Sequence, residues 1–149
     1  MAARRRKSRK PSGVNSRPPP DDPPVLFIDR NLGRHVLAGR LREAGIPCEV
    51  HDDHLPQDAT DETWLRYIGK KGWIAIGRDK NIRYREPEKA ALIQANACLI
   101  VIRAKNITAL DIADLITNHI NRIYRFIKKN NAPFIAGITR DGKITKYPL

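Results

Sequence analysis

Aspartates follow two of the apolar runs in this sequence, at points where a strand would end. Asp29 comes directly after the run at residues 25–28, and Asp79 follows the run at 73–76 by three residues. Unbroken apolar runs of this length are typical of strands that are buried on both faces of a parallel sheet. Since ligands bind beyond the carboxyl ends of such strands, we expect the two carboxylates to meet at one edge of the sheet.

Two predicted helices each carry an acid in the first turn of the face that would be buried. Asp61 precedes a set of apolar residues by three, four and seven positions: Trp64, Leu65 and Ile68. Glu88 stands in the same relation to the apolar residues of the next helix: Ala91, Leu92 and Ala95. This spacing places each acid on the inward face of its helix. Glu62 points about 100° away from Asp61, toward solvent or the rim of the site.

A cluster of carboxylates needs a counter-charge, because like charges a few Å apart raise each other's pKa. Protons or a divalent cation can supply it, and all-oxygen ligands suit Mg²⁺ or Mn²⁺. Such ions activate water and stabilise charge on a phosphodiester under attack. Each acid also has a structural alternative: Asp29 as a helix cap, Asp79 as a turn residue, and Asp61 and Glu88 as partners of a helix dipole.

Basic residues surround Asp79 in the sequence, with one tyrosine among them: Arg78, Lys80, Arg83, Tyr84, Arg85 and Lys89. Basic side chains beside a metal site can hold a phosphate backbone, and a tyrosine can stack on a splayed base. We expect this run to bind RNA next to the acidic cluster. The alternative is a charged face that is only solvated.

The run His51, Asp52, Asp53, His54 has the residue types of a metal site. Neighbouring residues on a strand point to opposite sides, so the four cannot easily meet one ion. We interpret the run as structural. His35 and His119 are interpreted as packed or surface residues.

Strand and helix patterns alternate along the chain. Strands are predicted at residues 25–28, 48–50, 73–76, 98–102 and 134–138, with helices between them. A single long helix is expected from Thr108, with an apolar stripe that ends at Ile127. Asp141 and Gly142 predict a hairpin turn that leads into a short edge strand at 144–147. This order indicates an α/β fold with a mostly parallel sheet, helices on both faces and a C-terminal hairpin.

The charge is unevenly distributed along the 149 residues, whose formal net charge is +12. Residues 1–24 contain seven Lys or Arg and two Asp, with no apolar periodicity, which predicts a disordered basic arm. Residues 25–149 are expected to form one domain, which is also basic. A basic domain favours a polyanionic partner, and nucleic acid is the commonest one.

The lengths of the apolar runs and the two cysteines indicate the cellular compartment in which the protein is expected. No apolar run approaches the roughly 18 residues that a membrane span needs, and no apolar segment follows the basic start as in a secretory signal. We therefore expect a cytoplasmic protein. Cys48 and Cys98 lie beside apolar runs, so buried reduced thiols are expected rather than a disulfide.

Three segments resemble the PIN-like domains of VapC-type toxin ribonucleases. They are residues 27–33, 61–65 and 72–83, and the first contains the Asp-x-Asn-Leu motif of a compact subgroup. The resemblance covers about residues 25–140. It implies a three-layer α/β sandwich, RNA cleavage with Mg²⁺ or Mn²⁺, and a cognate antitoxin. By motif it assigns the family's acids to Asp29, Asp61 and Asp79, with Glu62 as the alternative to Asp61.

Two positions depart from the pattern of that family. It often has Thr or Ser two residues before the later acid, where this chain has Gly77, and a fourth acid is missing unless Glu88 supplies it. A non-enzymatic PIN-like module that binds RNA or regulates therefore remains the alternative. A response-regulator receiver is disfavoured because paired acids do not follow the first strand, and a haloacid-dehalogenase-type phosphatase because Asn31 breaks the Asp-x-Asp motif.

Overall fold

The computed structural model describes residues 23–29, 32, 34–79 and 81–149. Strands and helices alternate, as the sequence predicts, and two short 3-10 turns lie at His51–Asp53 and Ile82–Tyr84. The elements are, in chain order, β1 Leu26–Ile28, α1 Arg34–Glu43, β2 Cys48–Val50, α2 Asp61–Lys71, β3 Ile74–Gly77, α3 Glu86–Ala95, β4 Cys98–Arg103, α4 Ala109–Asn118, α5 Ile120–Lys129, β5 Phe134–Thr139 and β6 Ile144–Tyr147.

The sheet has the strand order β2-β1-β3-β4-β5-β6, and only β6 runs antiparallel to its neighbour. Ile28 at the end of β1 lies opposite Val50 of β2 on one side and Ile76 of β3 on the other. The strand order reverses at β1, because β2 lies on one side of it and β3, the next strand along the chain, lies on the other. In open α/β sheets, ligands bind at the carboxyl ends of the strands beside such a reversal. The aspartate after β1 therefore occupies the expected position for a site.

Helices cover both faces of the sheet. On one face, α1 packs against α4 and α4 contacts α5, while on the other face α2 packs against α3. The larger core cluster includes Leu37, Leu41, Ile112 and Ile116, which are all nearly inaccessible to solvent. The second cluster, around Phe27, lies beneath α2 and α3. The predicted three-layer sandwich with a parallel sheet and a C-terminal hairpin is confirmed.

The prediction of a single long helix from Thr108 is wrong, because the chain turns at His119 and forms α4 and α5. The hydroxyl of Thr117 donates to the carbonyls of Ala113 and Asp114 at 2.9 and 3.2 Å. Hydrogen bonds from a threonine back to the preceding turn bend helices, which accounts for a break at this point. The apolar pattern of the sequence does not reveal this break, because the three- and four-residue spacing continues from α4 into α5.

The helix ends and the two cysteines show how local sequence shapes the fold. Thr60 caps α2 by accepting from the backbone N–H of Thr63, and Gly72 ends the helix in the left-handed region at φ 73°. Val36 on α1 is 52% exposed. Cys48 and Cys98 are buried free thiols, as predicted. Among the described residues, no helix has the length and apolar character that crossing a membrane requires.

Candidate functional site

The carboxyl edge of the sheet opens into a small cavity of about 70 Å³ where β1 and β3 end. Asp29 is held there because its backbone N–H continues the ladder to the carbonyl of Ile76 at 3.1 Å. Three carboxylates and one imidazole line the cavity, together with apolar residues and a glycine: Asp29, His51, Asp61, Trp64, Gly77, Asp79, Ile82, Leu99 and Val101. The structure thus brings together the three aspartates that sequence reasoning selected. Their role remains a prediction.

Asp61 reaches the cavity from the first turn of α2. The indole Nε1 of Trp64 donates to its Oδ1 at 2.8 Å, which orients the carboxylate. The ring of Trp64 stacks on Phe27 of β1, with 6.4 Å between ring centroids. Because Phe27 is 1% exposed, the first turn of α2 is fixed to the centre of the sheet, and Asp61 with it.

Asp79 is held by the turn that follows β3. The backbone N–H of Asn81 donates to its Oδ1 at 3.1 Å. Arg85 lies beyond the 3-10 turn, and its Nη1 is 2.5 Å from Oδ2 of Asp79 and 3.9 Å from Oδ2 of Asp61. The hydrogen bond and the charge of Asp79 raise the pKa of the Arg85 guanidinium. One cation therefore contacts two of the three carboxylates.

His51 also lines this cavity, a placement that the sequence pattern does not predict. Its side chain is 2% exposed, its Nε2 is buried without a hydrogen-bond partner, and it lines the same cavity as the carboxylates. The pairing of β1 with β2 explains this position. Val50 at the end of β2 lies opposite Ile28 at the end of β1, so His51 follows β2 just as Asp29 follows β1. His54 lies elsewhere, with its ring nitrogens 2.7 Å from Glu49 and 2.9 Å from the hydroxyl of Tyr67. The run at 51–54 does not form one site.

The two further acids do not line the cavity. Glu62 is exposed on α2, as its position one residue from Asp61 predicts. Glu88 is half-buried on α3, and its Oε2 is buried without a hydrogen-bond partner. Its charge adds to the effect that raises the pKa of Arg85, so it lies near the acidic cluster without being part of the lining.

Of the predicted RNA-binding residues, Arg78 and Arg85 lie beside Asp79. Arg78 is exposed and lines a separate, wider cavity of about 600 Å³ with Asp79, Arg103 and Lys105. Tyr84 is 67% exposed. Lys80 and the side chain of Arg83 lie outside the described residues.

The residue types that line the cavity suit a hard cation, but their present positions do not form a metal site. Three carboxylates supply oxygen donors, and Mg²⁺ often uses only one or two of them while keeping several waters. A cavity of this volume holds several water-sized groups. Within the described part of the chain, however, no three His, Cys, Asp or Glu side chains are grouped closely enough to hold a metal ion as they stand. Binding would require the ion pairs of Arg85 to open.

The part of the chain that contains the cavity aspartates is similar in sequence to known proteins. A sequence model described as PIN-like domain matches residues 24–104, which include all three cavity aspartates. The chain is 28% identical over 92 residues to VapC45 of Mycobacterium tuberculosis (strain ATCC 25618 / H37Rv), a protein named as a ribonuclease. This similarity covers 59% of this chain and 67% of the relative.

No solved structure matches the chain significantly. The Asp-x-Asn-Leu subgroup remains a prediction. The family match spans more than half of the chain, and the observed α/β sandwich agrees with the fold that the resemblance implies. The chain belongs to the PIN-like domain family and is similar to a relative of the VapC type.

Proposed function

We propose that this protein is a metal-dependent endoribonuclease that hydrolyses RNA phosphodiester bonds, and that it is the toxin of a toxin–antitoxin pair acting in the cytoplasm. The observation that supports this most directly is the convergence of Asp29, Asp61 and Asp79 on one cavity. The similarity to a relative named as a ribonuclease supports the substrate class.

In this proposal Asp29 and Asp79 are the principal ligands of Mg²⁺ or Mn²⁺, and Asp61 completes the set. Bound there, the ion would lower the pKa of a water and stabilise the charge that develops on the phosphate. Asp29 is fixed by the backbone of β1 and β3, and Asp61 by Trp64. Asp79 is the acid that must exchange a partner, because Arg85 holds it in this structure.

The basic run beside Asp79 would hold the RNA backbone. Arg78 and Tyr84 are exposed, as an RNA-contacting surface requires. The guanidinium of Arg85 would pass from Asp79 to a substrate phosphate once a divalent ion neutralises the carboxylate. Lys80 and Arg83 belong to the same proposed surface.

An antitoxin is the proposed protein partner, and a homodimer is the proposed assembly. An inhibitor that covers the carboxyl edge of the sheet would close the acidic cavity and the basic run together, since both adjoin Asp79. Co-expression with a neighbouring small open reading frame tests this: the cognate antitoxin would suppress toxicity and co-purify with the protein.

A non-catalytic PIN-like module that binds RNA is the second candidate. The ion pair between Arg85 and Asp79, the glycine at position 77 and the absence of a preformed group of three ligands within the described residues favour it. The two candidates predict the same fold and the same basic surface, but only one predicts cleavage.

Cleavage of a mixed RNA pool, with and without EDTA, separates the two candidates. Replacing Asp79 with Asn keeps the shape of the side chain and removes one ligand charge, so we expect Mn²⁺ affinity to fall and cleavage to drop by at least about a hundredfold. Asp58→Asn, an exposed position before α2, is the matched control and should cleave normally. RNA binding by the wild type without any metal-dependent cleavage would favour the non-catalytic module.

A further inference from the structure

A groove on the face of the sheet that α1, α4 and α5 cover is lined by cations that the acidic site does not use. It has a volume of about 420 Å³ and lies between α5 and the edge strand β6. We call it the α5 groove, and its lining consists of four cations and two apolar residues: Arg122, Arg125, Lys128, Lys129, Phe126 and Ile144. No acid lines it. All of these residues follow position 104, where the match to the PIN-like family ends.

The amphipathic sequence of α5 explains how this groove forms. Ile123 is buried, and Ile120 and Ile127 pack partly against the larger core cluster. Arg122, Arg125 and Lys129 follow at three- and four-residue spacing, so they share a different stripe of the helix. Phe126 is half-buried and meets Phe134 edge-to-face at 5.3 Å. The basic side chains of α5 therefore lie beside an apolar surface that Phe126 forms and that its contact with Phe134 holds in place.

The positive charge of the groove is not neutralised locally. No ion pair within the described residues involves Arg125, Lys128 or Lys129, and Arg122 donates to the carbonyl of Gly142 at 2.9 Å. Residues 119–149 contain seven Lys or Arg and one acid, Asp141. That acid accepts a hydrogen bond from the hydroxyl of Thr139. An excess of unpaired cations along one groove attracts a polyanion.

The edge strand extends the same charged surface. Side chains alternate between the two faces of a strand, so Lys146 lies on the same face of β6 as Ile144, which lines the groove. Lys146 is exposed. The basic surface therefore continues from α5 across the edge of the sheet.

We propose that the α5 groove binds a single strand of RNA through its phosphates, with Phe126 and Ile144 contacting sugar or base. A helix of ten residues is about 15 Å long, so its cations can contact several neighbouring phosphates. An apolar floor beneath a row of cations matches a strand that carries charge on one side and bases on the other. The choice of RNA among polyanions depends on the proposed function, and the groove would supply affinity away from the cleavage site.

The test measures binding without cleavage. The background is the Asp79→Asn protein in EDTA, and fluorescence anisotropy follows a labelled, unstructured 20-nucleotide RNA between 50 and 200 mM salt. Each phosphate contact to a single strand contributes about 0.7 to the slope of log affinity against log salt. Arg125→Gln combined with Lys129→Gln should lower the slope by about 1.4, and the affinity near 0.15 M salt by about tenfold.

The matched control is Arg66→Gln combined with Lys70→Gln, which removes the same charge from exposed positions on α2. We expect its slope to stay close to that of the background protein. Equal losses in the two double variants would mean that only net charge matters, and would overturn the proposal. So would an unchanged slope in the groove variant, or a groove that binds an acidic peptide in preference to RNA.

A cleavage assay with an RNA too short to contact both the acidic cavity and the α5 groove distinguishes failure of RNA binding by the groove from failure of the proposed nuclease activity. Such a substrate should be cut equally by the wild type and by the groove variant in the presence of Mn²⁺. If neither protein cuts it while the salt slopes differ as expected, the nuclease proposal fails and the groove stands.

Discussion

The guanidinium of Arg85 closes on the carboxylate of Asp79, with Nη1 2.5 Å from Oδ2 and Nη2 3.4 Å from Oδ1. The same Nη1 lies 3.9 Å from Asp61, so an internal cation neutralises acids that are proposed to hold a metal. Removing it should increase metal affinity, because a divalent ion no longer competes with a tethered positive charge. We expect Arg85→Gln to bind Mn²⁺ several-fold more tightly in calorimetric titrations at low salt.

Two further variants sharpen this test of Arg85. Arg66→Gln on α2 removes the same charge away from the cavity and should leave Mn²⁺ affinity nearly unchanged. Arg85→Lys keeps the charge but loses the forked geometry, so its affinity should lie between those of the wild type and Arg85→Gln. Weaker Mn²⁺ binding by Arg85→Gln would mean that the arginine organises the site and does not compete for it.

Gly77 lies in the cavity wall with space beside it. A Cβ at this position would be 3.8 Å from Oδ2 of Asp29 and 3.7 Å from Cδ1 of Leu99, which are ordinary contact distances. We expect Gly77→Ser to fold normally and to gain about 0.5 kcal/mol of stability, because glycine in a strand carries extra conformational entropy in the unfolded chain. Its hydroxyl would come within hydrogen-bonding reach of Asp29 and raise Mn²⁺ affinity, up to about tenfold for an outer-shell hydrogen bond.

Gly77→Ala is the matched control, since it adds the Cβ without the hydroxyl. It should show the gain in stability, measured by urea unfolding, and no change in Mn²⁺ affinity. If both variants raise the affinity equally, the effect is one of rigidity and not of a hydrogen bond to Asp29.

The sequence predicts the sheet and most of the acidic cavity for one physical reason. Continuous apolar runs identify buried parallel strands, and parallel strands bring their carboxyl ends together, so Asp29 and Asp79 could be assigned to one edge. Asp61 could be assigned because helical periodicity identifies the inward face of α2. In each case the placement depends on a local pattern.

Other features depend on contacts that no local pattern encodes. The sequence contains several basic residues near Asp79, but only the fold of the turn at Ile82–Tyr84 selects Arg85 as its partner. The alternation of side chains along a strand predicts a structural role for His51, but a 3-10 turn starts at that residue and its side chain lines the cavity. The break at His119 leaves the apolar spacing of α4 and α5 intact, so periodicity could not reveal it.

Residues 1–22 of the predicted basic arm, which spans residues 1–24, lie outside the described residues, and the predicted contribution of this segment is electrostatic. It contains seven Lys or Arg and two Asp. Removing it should leave the thermal midpoint of residues 23–149 within a degree or two, because the core clusters lie beyond it. The slope of log RNA affinity against log salt should become flatter by about 0.7 for each phosphate that the arm neutralises in the full chain. An unchanged slope would show that the arm does not bind RNA.

The buried imidazole of His51 is predicted to lower the stability of the fold. A buried polar atom without a hydrogen-bond partner costs about 1–3 kcal/mol, and Nε2 of His51 is such an atom within the described structure. His51→Leu, a change of similar volume, should therefore raise the free energy of urea unfolding by about 1 kcal/mol in EDTA. If the imidazole binds water or phosphate in the cavity, the same variant should lose about tenfold in Mn²⁺-dependent cleavage.

His54→Leu is the contrasting variant, because both ring nitrogens of His54 have partners, Glu49 and Tyr67, whereas within the described residues only Nδ1 of His51 has one, Asp52 at 3.4 Å. Removing it should lower the free energy of unfolding by about 1–2 kcal/mol, since a partner is left unsatisfied, and it should leave cleavage per folded molecule unchanged. A more stable but less active His51→Leu, beside a less stable but fully active His54→Leu, would assign His51 to the site and His54 to the fold. Loss of stability in both variants with normal cleavage would instead make His51 a packing residue.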